Sequence, residues 1–140
     1  MKHIENSVAE IFSDWVHNLN INDIPEEVVN KLQLIIVDSF GLMVSAKNEP
    51  YIKSLINALQ EHGNCTLVGH NKKVNPFNAS IINGTAIHGE DFDDTFEGTP
   101  VHVGSVMVPA ILSSAQAKNL DGQKFLKGLV VGSELICRLA

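Results

Sequence analysis

The feature that most constrains the fold is the apolar segment LQLIIVDSFGLMVSA, residues 32–46. It continues a helical pattern that begins near Asp23, where Pro25, Glu26 and Glu27 suit a first turn. Proline lacks an amide hydrogen that would stay unpaired there, and acidic groups face the positive end of the helix dipole. Because residues 32–46 would be apolar all round such a helix, we expect the helix to be buried on several sides.

Five further segments show helical patterns. The segment at 8–19 has apolar residues at the i, i+3, i+4, i+7 spacing, and Asn6 or Ser7 can cap its start. Two later helical segments also have caps, which are Asn75, followed by Pro76, and Asp121. The later segments are residues 50–62, 76–89, 105–117 and 122–140, and CTLVG at 65–69 is the one plausible strand. The sequence therefore predicts a mainly α protein, a helical bundle-like domain of about six helices that spans residues 1–140.

Charge and composition argue against several classes of function. The 140 residues are 44% hydrophobic and carry a formal net charge of −6 without basic runs, which does not suit nucleic acid or an anionic membrane surface. The N-terminus lacks a secretory signal pattern, and no apolar run approaches the roughly 20 residues that span a bilayer. Two cysteines are too few for a disulfide framework or an iron–sulfur cluster. We therefore expect a reduced, cytoplasmic protein.

The segment richest in reactive side chains is HGEDFDDTFEGTPVH, residues 88–102. If the preceding helix continues through it, the helical spacing places His88, Asp91 and Thr95 on one face, with Asp93 pointing away. Acidic side chains at a helix C-terminus face the unfavourable end of the dipole, at a cost of roughly 0.3 to 1 kcal/mol each. Such an arrangement is seldom kept for stability alone.

His102 follows on the loop that leads into the next helix. Gly98 and Pro100 end the preceding helix, so the loop can fold His102 back over that helix end. Gly104 and Ser105 open the next helix, whose free amide groups would favour an anion such as a substrate carboxylate. We therefore expect an acid, a base, a hydroxyl and an anion site to converge.

Other interpretations of this segment remain open. An acidic loop between two helices is often only a solvated surface. DFDDT also matches the DxDxT motif of haloacid-dehalogenase-type phosphatases, although that motif follows a buried strand and NGTAIHGE is polar. DFDD matches the DxDD motif of helical terpene cyclases, but 6% aromatic residues offer few groups to stabilise a carbocation. A divalent metal site of Asp91, Asp93, Asp94 and a histidine is chemically possible without an established ligand spacing to support it.

Two residues inside helical segments invite a structural interpretation. Asp38 interrupts the apolar run, and we expect a buried carboxylate bonded to a hydroxyl or a helix end. Gly84 costs its helix roughly 1 kcal/mol relative to alanine, and we expect it to admit a neighbouring backbone.

Residues 83–117, NGTAIHGEDFDDTFEGTPVHVGSVMVPAILSSAQA, resemble the signature region of the MmgE/PrpD family. The pieces NG-x-x-x-H, DFDDT and H-x-GS occur together and in order, and the segments 32–46 and 65–89 resemble other parts of the family. The resemblance thus covers nearly the whole chain. Where the family commonly has His-Pro, this sequence has His-Val.

The resemblance implies a large helical domain, of which this chain is the N-terminal part, and a smaller α+β lid domain across the active site. It implies a lyase, a dehydratase or decarboxylase, that transfers a proton next to a carboxylate of a small polycarboxylate without a metal, an iron–sulfur cluster or another cofactor. Asp91, Thr95 and His102 fall on active-site positions. Under this interpretation His102 is the general acid/base and Asp91 orients a histidine or bonds the substrate, which Thr95, His88 and Ser105 bind.

Members of that family are much longer, and the resemblance implies that a catalytic lysine, a further histidine, a tyrosine and the lid lie beyond residue 140. LVVGSELICRLA ends with its apolar pattern still running, so we expect a truncated chain that is inactive or nearly so. Helix faces left uncovered would favour homo-oligomers. The alternatives are a non-catalytic helical module that dimerises or completes a partner's site, and a metal-dependent phosphatase.

Overall fold

Helices α1 to α6 and one short hairpin form the regular structure of the residues that the computed structural model describes, which are 6–59 and 62–140. Short 3-10 turns at Ile21–Asp23 and Ala46–Asn48 flank α2. The bounds are α1 Val8–Asn18, α2 Glu26–Ser45, α3 Pro50–Ala58, β1 Cys65–Thr66, β2 Lys73–Val74, α4 Pro76–His88, α5 Val103–Ala117 and α6 Gly122–Leu139. The prediction of a mainly α protein of about six helices is confirmed.

Three helices begin where the capping residues predict. Ser7 and Glu10 form a reciprocal capping box at the start of α1. The side chain of Asn75 accepts a hydrogen bond from the Asn78 amide at 2.8 Å, and Asp121 accepts one from the Lys124 amide at 2.9 Å. Each cap satisfies an amide that has no partner inside its own helix, so local sequence determines these boundaries.

The segment between α3 and α4 differs from its prediction. Helix α3 ends at Ala58 instead of continuing to residue 62, and residues 60–61 of the predicted helix lie outside the described residues. The predicted strand has a partner that the sequence does not predict: β1 pairs antiparallel with β2, and Cys65 lies opposite Val74. A strand of two residues is too short to show the alternation that identifies a strand in sequence.

Helices α4 and α5 pack side by side, and this pairing places the functional segment. As predicted, Gly84 admits a neighbouring backbone: a Cβ atom there would stand 2.9 Å from the carbonyl oxygen of Ser105 in α5. One core cluster joins α2, α3, α4 and the hairpin, and a second joins α1, α2, α5 and α6. The C-terminus of α4 therefore meets the N-terminus of α5 beside α2.

Helix α2 is less buried than its composition predicts. Leu34 and Val37 are 66% and 71% exposed, and Val44 is 47% exposed. Asp38 lies exposed among them rather than buried as expected. The prediction that α2 is buried on several sides is therefore wrong. Among residues 6–59 and 62–140, the helix packs through one face and leaves an apolar face exposed.

The prediction that no apolar segment approaches the length of a membrane span is wrong for this helix. Glu26–Asn48, which is α2 with the turn after it, is 23 residues long and contains an 18-residue window with a mean hydropathy of 1.4, enough to cross a membrane by length and composition. A single helix of this kind is weak evidence, because core helices pass the same test.

Candidate active site

Helix α4 ends at His88, within one residue of the predicted segment 76–89, and the continuation through the acidic segment on which the shared helical face depended does not occur. Asp91 adopts a left-handed backbone with φ of 56°, and its amide donates to the carbonyl of His88 at 2.9 Å. This local turn reverses the chain within three residues of the helix end. The predicted helical face of His88, Asp91 and Thr95 therefore does not form.

Tyr51 of α3 braces the end of α4. Its hydroxyl donates to Glu90 Oε1 at 2.9 Å, and a Cβ atom at Gly89 would collide with its ring and hydroxyl. Burial, the hydrogen bond to Glu90 and nearby negative charge raise the pKa of Tyr51 to about 12. Tyr51 therefore remains protonated and keeps its bond to the loop at any ordinary pH.

The loop from 89 to 102 returns His102 to the end of α4, as the sequence predicts. The amide of Phe96 donates to the carbonyl of Val101 at 2.8 Å, and Gly98 makes the turn with φ of 94°. His102 thereby becomes the N-terminal cap position of α5. The rings of His88 and His102 meet edge to face with centroids 4.7 Å apart.

Asp93 lies between these two imidazoles, although the helical spacing predicted that it would point away. Its side chain has no solvent exposure, and its Oδ1 atom lies 3.0 Å from His88 Nδ1 and 3.3 Å from His102 Nδ1. The contact with His102 does not meet hydrogen-bond geometry, so the buried His102 Nδ1 has no hydrogen-bond partner among the described residues. The hydroxyl of Ser105 lies near Asp93 and lowers the pKa of that carboxyl.

The contact between Asp93 and His88 shifts the pKa values of both groups. The hydrogen bond to Asp93 raises the pKa of His88, with the charges of Asp93 and Asp91 acting in the same direction against burial. Burial raises the pKa of Asp93, but the bonds from His88 and Ser105 outweigh it and hold that pKa below its usual value. The arrangement therefore favours an ionised carboxylate beside a protonated His88.

Asp94 occupies the anion site that the sequence predicts at the start of α5. Its Oδ1 atom accepts a hydrogen bond from the Gly104 amide at 2.8 Å, and a Cβ atom at Gly104 would collide with that oxygen. A carboxylate at this position is favoured by the free amides and by the helix dipole. The protein's own side chain thus takes the place expected for a substrate carboxylate.

Asp91 is exposed at the edge of the histidine pair. His88, Asp91, Asp93 and His102 each offer one ligand atom, all within 4.8 Å of one another, so this group could hold a metal ion. Imidazole and carboxylate ligands suit several divalent metals. The group consists of two histidines and two carboxylates. The metal site considered from the sequence instead combined three acidic residues, Asp91, Asp93 and Asp94, with one histidine.

Thr95 lies on the other side of the loop. It is exposed and lines a hollow of about 550 Å³ between α2 and α6 with Lys31, Glu27 and Ser133, among other residues. Ser105, in contrast, is buried, and its hydroxyl bonds to the carbonyl of His102 at 3.3 Å. The structure therefore brings His88, Asp91 and His102 together and places Thr95 in a separate hollow.

The comparisons with known proteins agree with the motif. A family model described as the MmgE/PrpD N-terminal domain matches residues 10–140. The chain belongs to the MmgE/PrpD family.

Curated members of the MmgE/PrpD family similar to this chain carry decarboxylase names. A cis-aconitate decarboxylase-like protein of Aspergillus oryzae is 28% identical, over 93% of this chain and 29% of that protein. Cis-aconitate decarboxylases of Mus musculus and Aspergillus terreus are 29% and 24% identical, over 95% and 93% of this chain. The chain spans less than a third of the length of these relatives.

Two residues of this MmgE/PrpD chain were missed by reasoning from spacing. The spacing argument points Asp93 away because it assumes a helix that continues past His88, and the sequence carries no signal that Lys31, distant in the chain, lines the same hollow as Thr95. A helix, not a buried strand, precedes DFDDT, which removes the structural context that the phosphatase motif requires. The glycine of HGED offered a signal for an earlier helix end.

Proposed function

We propose that this chain forms one wall of the active site of a lyase that acts on a small polycarboxylate by proton transfer next to a carboxylate. The observation that carries the proposal is the pair of imidazoles, His88 and His102, held around the buried carboxylate of Asp93 in the family's motif. The named relatives act on cis-aconitate. We propose a substrate of the same class here, handled without a metal or cofactor.

His102 serves as the general acid/base in this proposal. Its side chain is 23% exposed, so the ring can reach a substrate while most of it stays packed. A decarboxylase needs a proton donor for the carbon that keeps the bonding electrons when carbon dioxide leaves. A dehydratase needs a base for the proton next to the carboxylate, and one imidazole suits both because it donates a proton in one form and accepts one in the other.

The remaining predicted residues take binding roles. His88, whose pKa is raised, supplies a positive charge at a half-exposed position where a substrate carboxylate can pair with it. Asp91 bonds a substrate hydroxyl or carboxyl group from the rim. Thr95 and Lys31 bind a carboxylate in the neighbouring hollow, whose volume of about 550 Å³ suits a small ligand. We assign Ser105 to the support of Asp93 because its hydroxyl is engaged within the protein.

We also propose that the 140-residue chain alone is inactive or nearly so. A trianionic substrate requires more fixed positive charge than His88 and Lys31 provide, and an uncovered cleft admits water that weakens each charge contact. Purified chain incubated with cis-aconitate or 2-methylcitrate should release no carbon dioxide and form no dehydrated product above the buffer rate. Turnover at an enzyme's rate would contradict this part of the proposal.

A chimera tests the catalytic assignment directly. Residues 10–140 of this chain would replace the matching N-terminal segment of the Mus musculus enzyme, and carbon dioxide release from cis-aconitate and formation of dehydrated product from 2-methylcitrate would be measured with and without a chelator. We expect activity that the chelator leaves unchanged and that His102→Gln abolishes. His17→Gln, an exposed change on α1, is the matched control. A folded chimera without either activity, or one that needs metal, would refute the proposal.

A second candidate is a non-catalytic module that associates through its helices, and the open face of α2 favours it. Leu34, Val37 and Val44 lie exposed on that face, and contiguous exposed apolar side chains mark contact surfaces. We propose that the isolated chain pairs with a second copy of itself through this face. Sedimentation of a stable dimer together with an inactive chimera would favour the module over the lyase.

A further inference from the structure

Asp93 occupies an unusual position for a member of an acidic segment. Its side chain has no solvent exposure, whereas Glu90, Asp91 and Glu97 are exposed. Burial of an ionised carboxylate without partners is strongly unfavourable. Groups packed around Asp93 must therefore compensate for the water that its charge loses on burial.

The compensating groups are the two histidines and one hydroxyl. His88 Nδ1 lies 3.0 Å from Oδ1 and 3.2 Å from Oδ2 of Asp93. His102 Nδ1 lies 3.3 Å from Oδ1, close enough for charge attraction but without hydrogen-bond geometry. The hydroxyl of Ser105, which donates to the carbonyl of His102, lies near the same carboxylate. Both imidazoles thus present the same ring nitrogen, Nδ1, to one carboxylate.

A neutral imidazole carries its hydrogen on only one of its two nitrogens. A lone pair on Nδ1 facing a carboxylate oxygen at 3.0 to 3.3 Å would be repelled, whereas an N–H there is attracted. The carboxylate therefore favours the Nδ1–H form of each ring, and the opposite nitrogen, Nε2, keeps its lone pair.

We propose that Asp93 is the positioning residue of this site: it holds His88 and His102 in the Nδ1–H form, so that Nε2 of each ring is the atom that exchanges a proton or binds the substrate. The reaction served by Nε2 rests on the proposed function, but the positioning itself does not. Asp93 acts through the two rings and does not touch the substrate.

The first experiment measures the tautomers directly in the wild-type chain. Long-range ¹H–¹⁵N correlation spectra of ¹⁵N-labelled protein identify which ring nitrogen carries the hydrogen in each histidine. At a pH where both rings are neutral, we expect Nδ1–H for His88 and His102. An Nε2–H form for either ring would overturn the proposal, whether or not any lyase activity exists.

The second experiment compares two substitutions that each remove one negative charge. Asp93→Asn keeps the shape of the side chain and removes the charge shared by the rings, whereas Glu97→Gln alters an exposed acid of the same loop. We expect the NMR titration midpoint of His88 to fall and the Nδ1–H preference of His102 to weaken in Asp93→Asn only. Unchanged ring states in a folded Asp93→Asn variant would refute the proposal. If that variant does not fold, the wild-type tautomers still decide it.

Activity of the chimera supplies a separate readout. Asp93→Asn should lower kcat by about 100-fold, the usual scale of a general acid/base contribution, with little change in KM because the substrate is not contacted. A loss confined to KM would contradict positioning. Expected tautomers in a chimera without activity would refute the lyase proposal and leave the positioning role supported, so the two failures are distinguishable.

Discussion

The Nδ1 atom of His88 lies 3.0 Å from the Oδ1 atom of Asp93, and the contact joins the last residue of α4 to a fully enclosed carboxylate. It forms because Asp91 turns the chain back at the helix end, instead of letting the helix continue. The same carboxylate faces His102 at the start of α5. A single buried charge thus connects the ends of two helices that pack side by side.

The first prediction concerns the pH dependence of stability. The pKa of His88 is raised above its ordinary 6.5, so its contribution to the free energy of unfolding is complete below that pH and is lost as pH rises through the raised value. The pKa of Asp93 is lowered below its ordinary 3.8, so its contribution is complete above that pH and is lost as pH falls through the lowered value. The pair therefore stabilises the fold most between these two ordinary values.

Urea denaturation at about pH 5 and about pH 8.5 checks this. His88→Gln should lose more stability relative to wild type at the lower pH than at the higher one. His17→Gln, on the exposed face of α1, should track the wild type at both. A larger loss for His88→Gln at the higher pH would contradict the assigned direction.

The second prediction sets two helical glycines against each other. Gly84→Ala should lower the free energy of unfolding by about 1 to 3 kcal/mol, because the new Cβ would press on the Ser105 carbonyl at 2.9 Å. Gly41→Ala should raise it by roughly 0.5 to 1 kcal/mol, because nothing lies within 4 Å of that Cβ position and alanine favours the helix. Thermal unfolding of both variants measures the difference. Equal effects would mean that α4 and α5 are not in close contact.

The third prediction tests the cap of α5. Asp94→Ala removes the acceptor of the Gly104 amide and should cost about 1 kcal/mol, as loss of an N-terminal cap usually does. Glu97→Ala in the same loop should change stability by less than about 0.5 kcal/mol, as a surface substitution. Denaturant midpoints at fixed pH would measure both. A neutral Asp94→Ala would show that the amide finds another partner.

The fourth prediction concerns the open face of α2. Replacement of Leu34 and Val37 by glutamate should shift the chain toward monomer, because both side chains are largely exposed and apolar. Gln33→Glu adds a charge to the same helix without removing an apolar side chain and serves as the control. Sedimentation velocity over a range of concentrations measures the change. A wild-type chain that stays monomeric throughout would refute self-association.

Much of the helical framework could be predicted because its causes are local. Ser7, Asn75 and Asp121 cap helices within three residues of themselves, and the apolar spacing of each helix is visible in the sequence. The strand at 73–74 was not predicted because two residues are too few to show the alternation of apolar and polar side chains that identifies a strand. The continuation of α4 through the acidic segment was wrong because Asp91 adopts a left-handed backbone, which is a less frequent choice there than glycine.

The candidate site could be predicted in its members but not in its geometry. His88, Asp91 and His102 were expected together and lie together, since Gly98 and Pro100 indicate a returning loop. Asp93 was expected on the wrong side and Thr95 on the wrong face. Both errors follow from one assumption, that the helical period extends past residue 88.

The approximate positions of the helices, the caps of α1, α4 and α6 and membership of the MmgE/PrpD family follow from the sequence alone, because capping, periodicity and motif order depend on residues close together in the chain. The packing of the helices was needed to show which carboxylate is buried, which backbone amide donates to Asp94 and which face of α2 is exposed. The physical reason is that burial and charge pairing depend on what the packing of α4 against α5 brings near each side chain, and no local pattern encodes that neighbourhood.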